Sequence, residues 1–320
     1  MTLICNSPNE VAQLKGELLR YLPISDLGEV HHLLGIKITR DCDKHTIALS
    51  QERYILNLLQ KYNYENLNPV QTPLDTSTRL SKNMPTITAS DKSQQEYRNF
   101  PYQSIVGSLM HAAVMTRPGI AHTVQQVAQF MSDLQPAHCA AVKRILRYLR
   151  GTANYQLTFG PNCDSKVTAY CDADFANDPN TRKSISGFAF MFNNGCFAWS
   201  SKKQTTVSLS TAKAEYISAV HAVKSAAWLR TLLMELQLIN NESIELCVDN
   251  LSAIALINLE DLVNERSKHI EICHHWIRDV VHKDIISVSH VPSEFNILDI
   301  LTKSLDFSSH TRLTTSLGLS

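Results

Sequence analysis

The sequence has no run of about 20 apolar residues, the length that a helix needs to cross a bilayer. Its first residues also lack the charged and apolar regions of a signal peptide. The eight cysteines are scattered without any Cys-x-x-Cys pair, a pattern typical of reduced thiols rather than of a disulfide framework. We therefore expect an intracellular protein, cytoplasmic or nuclear, with neither disulfide bonds nor a membrane as partner.

A net charge is also lacking. Lys plus Arg number 30 and Asp plus Glu number 30, so composition alone does not indicate a nucleic-acid-binding protein. The two halves differ, since residues 1–150 carry 16 basic and 12 acidic groups whereas residues 151–320 carry 14 and 18. An acidic C-terminal half is typical either of a solvated surface or of a carboxylate cluster that needs a metal.

The 320 residues, 44% of them hydrophobic, suffice for two modest domains. Apolar residues recur at helical spacing in residues 8–22 and 51–62, and they alternate as in a β-hairpin in residues 35–40 and 46–49. Residues 69–98 are rich in proline and polar residues, which predicts a linker or a long surface loop.

Residues 102–148 return to helical spacing, and breaks at residues 117–119 and 133–136 divide them into three predicted helices. Such helices would form a connector between the two halves. The last of them carries a basic face that could contact phosphate groups, although such a face is more often simply solvated. Its members are Lys143, Arg144, Arg147 and Arg150.

The second half alternates between short β-rich runs and helical stretches. Strands are predicted at residues 166–171, 187–192, 196–200, 244–248 and 286–291, and helices at residues 210–236, 251–258, 266–282 and 293–304. Three consecutive strands followed by this alternation predict an α/β domain in which helices pack on a mixed sheet.

Four acidic residues of this half lie where they can converge. Asp172 and Asp249 end predicted strands, whereas Glu215 and Asp299 lie in helices that would cover the sheet. In an open α/β sheet the functional crevice lies at the carboxyl ends of the strands. Four carboxylates there would repel one another unless cations such as Mg²⁺ or Mn²⁺ neutralised them. Two such ions about 4 Å apart can promote phosphodiester hydrolysis.

Simpler interpretations remain open for these acids. Asp249 could cap the helix that follows it, Glu215 could be an exposed helix charge, and Asp174 could organise a turn. Asp299 is harder to explain in this way, because apolar residues flank it. A zinc site is a further alternative, but its other ligands are undefined and a helix with polar groups is the preferred interpretation. Its candidate ligands are His269, Cys273, His274 and His275.

Six sequence blocks of the second half, in this order, resemble the ribonuclease H domain of copia-type retrotransposon polyproteins. They are CDADFA at residues 171–176, SISG at 184–187, SLSTAKAEY at 208–216, VDNLSA at 248–253, SKHIE at 267–271 and DILTK at 299–303. The resemblance implies a ribonuclease H-like mixed five-stranded sheet flanked by helices.

The same resemblance implies the site and the reaction. The acids that it assigns as catalytic residues and as ligands of two Mg²⁺ ions, for which Mn²⁺ can substitute, are Asp172, Glu215, Asp249 and Asp299. It implies hydrolysis of the RNA strand of an RNA/DNA hybrid, which leaves a 5′-phosphate and a 3′-hydroxyl. Other segments of the same polyprotein are expected as further partners.

The upstream sequence extends the resemblance. Blocks at residues 26–36, 49–55 and 69–74 look like the end of a copia-type reverse transcriptase domain, and blocks at 102–118 and 142–151 look like the segment that joins it to ribonuclease H. In the family the polymerase aspartate pair lies just upstream of the position of Met1, so we expect no reverse transcriptase activity.

These blocks imply four successive parts. Residues 1–80 are expected to be the C-terminal remnant of the reverse transcriptase domain, 81–160 a linker and helical connection segment, 161–308 the ribonuclease H domain, and 309–320 a tail. Without the rest of the polymerase, the apolar faces around Leu14 and Leu58 are expected to be exposed, which would lower solubility.

Four positions depart from the family pattern. Phe175 replaces the usual Trp, Lys213 a common acid, Gly119 the usual Asp, and Leu298 the small residue that usually precedes the last acid. None of these changes removes a member of the acidic set. Lys213 lies two residues from Glu215, so on a helix it points to a different face.

Hybrid binding requires contacts to phosphates and to the 2′-hydroxyls of the minor groove. The candidates for phosphate contacts are Lys183, Lys202, Lys203 and Lys268, and those for sugar or phosphate oxygens are Ser210, Thr211 and Asn250. His269 lies in the Lys-His-Ile block and is included with them, without an assigned role. An exposed turn is the alternative for Lys202 and Lys203, and His290 could either transfer a proton or simply pack.

Two other functions compete with hydrolysis. The chain could be a nucleic-acid-binding module whose fold survives without activity, or an inactive remnant of a retroelement.

Overall fold

The structure is a computed structural model that describes residues 3, 7–82, 84, 99–161, 166–258 and 268–320, with side chains for all of these except 268–274. The described helices are α1 (Pro8–Tyr21), α2 (Glu52–Lys61), α3 (Tyr102–Met115), α4 (Ala121–Ala128), α5 (Pro136–Gly151), α6 (Thr211–Glu235), α7 (Leu251–Asn258), α8 (Lys268–His282), α9 (Asp299–Thr302) and α10 (Phe307–Ser316), with 3₁₀ turns at Pro118–Ile120 and Ser293–Phe295. The described strands are β1 (His32–Leu33), β2 (Ile36–Asp41), β3 (Thr46–Ser50), β4 (Gln156–Phe159), β5 (Thr168–Asp174), β6 (Ile185–Phe192), β7 (Gly195–Lys203), β8 (Ile244–Val248) and β9 (Ile286–His290).

The first helix begins where local chemistry favours it. The side chain of Ser7 accepts a hydrogen bond from the backbone N–H of Glu10, and a proline lies in the first turn. No residue of α1 is buried, so the expected exposure of its apolar face is observed. The same expectation is wrong for α2, where Leu58 is 4% exposed because this helix packs on α5.

A four-stranded antiparallel sheet in the order β1-β2-β3-β4 joins the two ends of the first half. The predicted hairpin forms β2 and β3. Strand β4 follows the helical connector and pairs with β3, with Ile47 opposite Phe159. The sequence does not predict β4, because its four residues are too few for a periodic signal and its partner lies far away in the chain.

The last residues belong to the folded structure, which differs from the tail expected at 309–320. Asp306 caps α10 by accepting a hydrogen bond from the backbone N–H of Ser309. Beyond this helix, Ser320 and Gln156 exchange two backbone hydrogen bonds of 2.8 and 3.1 Å. The physical reason is that β4 has a free edge on the side away from β3, and the chain end satisfies its backbone groups.

Helices α2, α3 and α5 enclose the core of the first half. Fully buried side chains from all three meet there, and each stabilises the fold by roughly 1.5–3 kcal/mol relative to an exposed position. The central ones are Ile55, Leu59, Ile105, Leu109, Ile145 and Leu146.

Three arginines of the basic face of α5 bind the segment that follows α2. Arg144 donates to the carbonyl oxygen and the hydroxyl of Thr72 at 3.2 and 2.9 Å. Arg147 donates to the carbonyl of Asn68 at 2.7 Å, and Arg150 to that of Glu65 at 2.5 Å. These arginines therefore fasten the segment after α2 to the connector.

The second sheet has five strands in the order β7-β6-β5-β8-β9. Strands β5, β6 and β7 are antiparallel neighbours, whereas β8 is parallel to β5, and β9 is parallel to β8. The long helix α6 packs on β5 and β6. The mixed sheet flanked by helices that the sequence predicts is thus confirmed.

The helix expected at residues 293–304 is interrupted, so this expectation is wrong. Asn296 adopts an extended backbone between the 3₁₀ turn and the single turn of α9. Its buried side chain donates to the carbonyl of Cys171 at 3.2 Å and accepts from the backbone N–H of Leu298 at 3.2 Å. This side chain competes with helical hydrogen bonding and anchors the segment on β5.

Within the described ranges, no helix combines the length and the hydrophobicity needed to cross a membrane.

Candidate active site

Three carboxylates from three separate elements meet at one edge of the second sheet. Asp172 lies near the end of β5, Glu215 lies on α6, and Asp249 directly follows β8. Because β8 runs parallel to β5, the carboxyl ends of both strands reach the same edge. Each of the three residues offers a carboxylate oxygen, and these atoms lie within 4.8 Å of one another.

The fourth predicted acid, Asp299, is oriented differently. It begins α9, and its Oδ1 lies 2.7 Å from Nζ of Lys303 one turn later. Its charge nevertheless contributes to the raised pKa of Asp172. The structure thus brings three of the four acids into one cluster and places the fourth beside it, paired with a lysine.

Burial and mutual repulsion shift the pKa values of the cluster. Burial, together with the charges of Asp172 and Asp249, raises the pKa of Glu215 to about 9. Burial also raises the pKa of Asp172 to about 6, although the hydrogen bond from Thr302 opposes this change. Both shifts have the direction expected of buried neighbouring acids that lack a compensating cation.

The residues present fit a divalent cation. Oε2 of Glu215 is buried without a hydrogen-bond partner among the described residues, which is costly for a carboxylate unless something else compensates it. The donor set consists of hard carboxylate oxygens, which suit Mg²⁺ or Mn²⁺ better than zinc.

Neighbouring side chains fix the position of Asp172. The hydroxyl of Thr302 donates to its Oδ2 at 2.5 Å. The hydroxyl of Ser218 lies 2.7 Å from its carbonyl oxygen and 3.1 Å from that of Gly187. The sequence assigns no role to these residues. Thr302 does lie in the DILTK block, however, and that block also contains the predicted ligand Asp299.

Gly187 lies opposite Asp172 on the neighbouring strand, under the turn that carries Thr302. A Cβ atom there would lie 2.8 Å from Cγ2 of Thr302 and 3.2 Å from Cβ of Leu301. We expect Gly187→Ala to lower the free energy of unfolding by roughly 1–3 kcal/mol, measured by urea denaturation. Gly107→Ala is the matched control, because nothing lies within 4 Å of that Cβ; an equal loss in both variants would contradict this account.

The predicted substrate-binding lysines differ in their surroundings. Lys202 is exposed and Lys183 is half-buried in the loop before β6. Lys203 forms an ion pair of 2.8 Å with the buried Asp178. It also contacts Gln129, so it ties the sheet to the connector. The side chain of Lys268 lies outside the described residues.

The predicted polar substrate contacts lie mostly at helix ends. Ser210 caps α6 by accepting from the backbone N–H of Lys213 at 3.2 Å. Asn250, rather than Asp249, caps α7 by accepting from the N–H of Ala253 at 3.0 Å. Thr211 is exposed in the first turn of α6.

The histidine positions are only partly described. The side chain of His269 lies outside the described residues, as do those of Cys273 and His274 in the alternative zinc cluster. His290 is exposed at the end of β9, opposite Val248. It therefore lies at the same edge of the sheet as the acids.

A cationic side chain beside the site was not anticipated from the sequence. Arg79, in the segment that leads away from the first half, donates to Oδ1 of Asn177 at 2.7 Å. Asn177 in turn donates to Asp174. No local pattern marks Arg79, because its partner lies about a hundred positions later in the chain.

Comparison with known proteins finds relatives that align with nearly the whole chain. No family model matches it. It is 41% identical over 303 residues to the Retrovirus-related Pol polyprotein from transposon TNT 1-94 of Nicotiana tabacum, which covers 95% of this chain and 22% of that polyprotein. It is 33% identical over 314 residues to the corresponding polyprotein from transposon RE1 of Arabidopsis thaliana, covering 98% of this chain and 21% of the relative. The chain thus spans about a fifth of the length of these relatives.

A shorter relative and two solved structures complete the comparison. The putative transposon Ty5-1 protein of Saccharomyces cerevisiae is 30% identical over 222 residues, which is 68% of each chain. A ribonuclease H1 isolated from compost is similar with a TM-score of 0.33 and 15% identity, over 43% of this chain and 93% of its own. The foamy viral protease-reverse transcriptase in complex with double-stranded DNA is similar with a TM-score of 0.38 and 10% identity, over 63% and 35%.

The sequence resemblance that the six blocks indicate is therefore confirmed by relatives that cover nearly the whole chain. The chain belongs to the family of copia-type retrotransposon Pol polyproteins.

Proposed function

We propose that the chain is a nuclease that hydrolyses the RNA strand of RNA/DNA hybrids with divalent cations bound at its acidic cluster. One observation carries the proposal: Asp172, Glu215 and Asp249 converge from β5, α6 and the end of β8, with carboxylate oxygens within 4.8 Å of one another. Three buried or half-buried acids at this spacing destabilise the fold unless a cation binds them.

The division of roles follows from the contacts. Asp172, Glu215 and Asp249 would hold Mg²⁺ or Mn²⁺, and Asp299 is the proposed fourth ligand. When bound, the ions supply the Lewis acidity that activates a water and stabilises the leaving oxygen of a phosphodiester. Thr302 orients Asp172 through the hydroxyl that donates to its carboxylate.

Hybrid binding is proposed for the surface around this edge. The exposed Lys202 and the half-buried Lys183 remain candidates for phosphate contacts. Lys203, Ser210 and Asn250 have structural hydrogen bonds, so any contact that they make to the hybrid would come in addition to these. Lys268, His269 and Thr211 remain proposals from the family resemblance.

The four expected parts of the chain also remain a proposal, with one refinement. Residues 318–320 pair with β4, and Leu313 and Leu317 pack with buried residues of β6, β7 and α9. We therefore propose that residues 309–320 fold with the rest of the chain rather than as a separate tail.

The test uses the full chain and a hybrid with a labelled RNA strand, in Mg²⁺, in Mn²⁺ and in EDTA, with products separated on a denaturing gel. We expect metal-dependent cleavage of the RNA strand and no cleavage of single-stranded RNA, double-stranded RNA or the DNA strand. Asp172→Asn should be inactive and Asp279→Asn, an exposed acid of α8, should cleave normally.

Cleavage that does not exceed the Asp172→Asn background in either metal would refute hydrolysis. Tight hybrid binding without cleavage would instead support a binding module, and the loss of both would support an inactive remnant.

A further inference from the structure

Two successive residues of the turn that follows Asn296 each contact an acid of the site. Thr302 donates to Asp172 at 2.5 Å, and Lys303 contacts Asp299 at 2.7 Å. The first contact keeps an acid inside the carboxylate cluster. The second involves the fourth acid, whose oxygens are absent from that cluster of three.

Lys303 lies close enough to act on the charges of Asp299 and Asp172. Its side chain is 44% exposed and that of Asp299 is 35% exposed, so solvent reaches this ion pair. The charges of Asp172, Asp174 and Asp299 all act on its ammonium group. The positive charge of Lys303 therefore acts on three neighbouring acids, of which Asp299 is its direct partner.

We propose that Lys303 is an internal cation that occupies Asp299 and competes with a divalent ion for it. The inference rests on the proposed function only in that the three-carboxylate cluster must bind divalent ions. One ion binds at Asp172, Glu215 and Asp249 without disturbing the pair. A second ion that uses Asp299 requires the ammonium group to leave, so Lys303 weakens binding of the second ion and leaves the first largely unaffected.

The physical basis is charge competition at close range. A divalent ion that reaches Asp299 comes within a few ångströms of Nζ, and two cations at such a distance repel strongly when the surroundings are partly desolvated. Lysine is suited to this role, because its ammonium group is a point charge on a flexible stem and can swing into solvent. The half-exposed position of Lys303 leaves that path open.

The chain offers a matched control for this pair. Asp279 and Lys283 on α8 form another ion pair with four-residue spacing, also at 2.7 Å, with side chains that are 53% and 63% exposed. Lys283→Met removes the same charge from an equivalent pair that lies outside the acidic cluster.

The test is isothermal titration of the full chain with Mn²⁺ alone, without nucleic acid, for the wild type, Lys303→Met, Asp299→Asn and Lys283→Met. We expect Lys303→Met to bind the second ion about tenfold more tightly than the wild type, while affinity for the first ion stays within about twofold. Asp299→Asn should lose the second ion, and Lys283→Met should match the wild type. Melting curves in EDTA verify that each variant is folded.

The possible failures are distinguishable. A second-ion affinity of Lys303→Met that equals or falls below that of Lys283→Met overturns the competition by Lys303, while the metal-dependent function stands. A wild-type chain that binds no Mn²⁺ at all overturns the proposed function itself, and the competition with it.

Discussion

Glu215→Gln is expected to abolish cleavage while it stabilises the protein. Loss of a ligand from the acidic cluster should slow hydrolysis of the RNA strand by about 10³-fold, equivalent to roughly 4 kcal/mol of transition-state stabilisation. In metal-free buffer at pH 8 the same variant should melt at a higher temperature than the wild type. The amide keeps the shape of the side chain and removes an acid whose burial and repulsion raise its pKa to about 9.

The sign of the pH dependence follows from that shift. The pKa of the Glu215 carboxyl has its ordinary value of 4.5 in the unfolded chain, and burial with the neighbouring charges raises this pKa to about 9 in the folded one. Between these pH values the folded protein binds more protons than the unfolded chain, so the stability that this group contributes at low pH is lost as pH rises. The advantage of Glu215→Gln should therefore grow from pH 5 to pH 8.5.

Differential scanning fluorimetry in EDTA across this pH range measures the effect. Glu245→Gln is the matched control, because Glu245 is exposed on β8, in the strand that leads to Asp249. A difference between Glu215→Gln and the wild type that is independent of pH would contradict the account. Saturating Mg²⁺ should raise the melting temperature of the wild type more than that of the variant, since it binds the folded state.

Arg117→Met is expected to cause the largest loss of stability. Arg117 is 1% exposed, and its guanidinium donates to the carbonyl oxygens of Thr152 and Ala153, both at 2.8 Å. Burial lowers its pKa only to about 10, so it stays charged at neutral pH. Methionine would leave the carbonyl oxygen of Ala153 unpaired, at about 1–3 kcal/mol, and would leave that of Thr152 with only the backbone N–H of Tyr155 as donor, at 3.0 Å. We expect a loss of about 3 kcal/mol.

Urea denaturation monitored by circular dichroism tests this expectation. Arg150→Met is the control, because Arg150 also donates to a backbone carbonyl but is exposed; it should change stability by less than about 1 kcal/mol. Arg117→Lys should fall between them, since one ammonium group cannot span both carbonyls with the geometry of the guanidinium fork. Equal stabilities of Arg117→Met and Arg150→Met would rule out the anchoring role.

The fold of the second half is largely predictable from the sequence because its elements carry strong local signals. Apolar residues predict a strand at residues 244–248 and a helix at residues 251–258, and the structure has β8 and α7 at those positions. By contrast, β4 depends on pairing with β3 across the whole connector, and no window of the sequence contains both partners.

The site is predictable to the extent that topology determines it. Strand order and direction bring Asp172 and Asp249 to one edge, so reasoning from strand ends is sufficient for them. The orientation of Asp299 depends instead on Asn296, which interrupts the expected helix, and on the ion pair with Lys303. Both are side-chain interactions within a short irregular segment, for which hydrophobic periodicity carries no information.

The pairing of β3 with β4 has a consequence for synthesis on the ribosome. The edge of β3 stays unpaired until Phe159 has emerged, and the edge of β4 until Ser320 has emerged. An open strand edge is a template for wrong partners, and nascent chains with such edges are prone to aggregate. The edge of the early hairpin is therefore open until the connector and β4 have been synthesised, and a hairpin that folds within this interval exposes that edge to wrong partners.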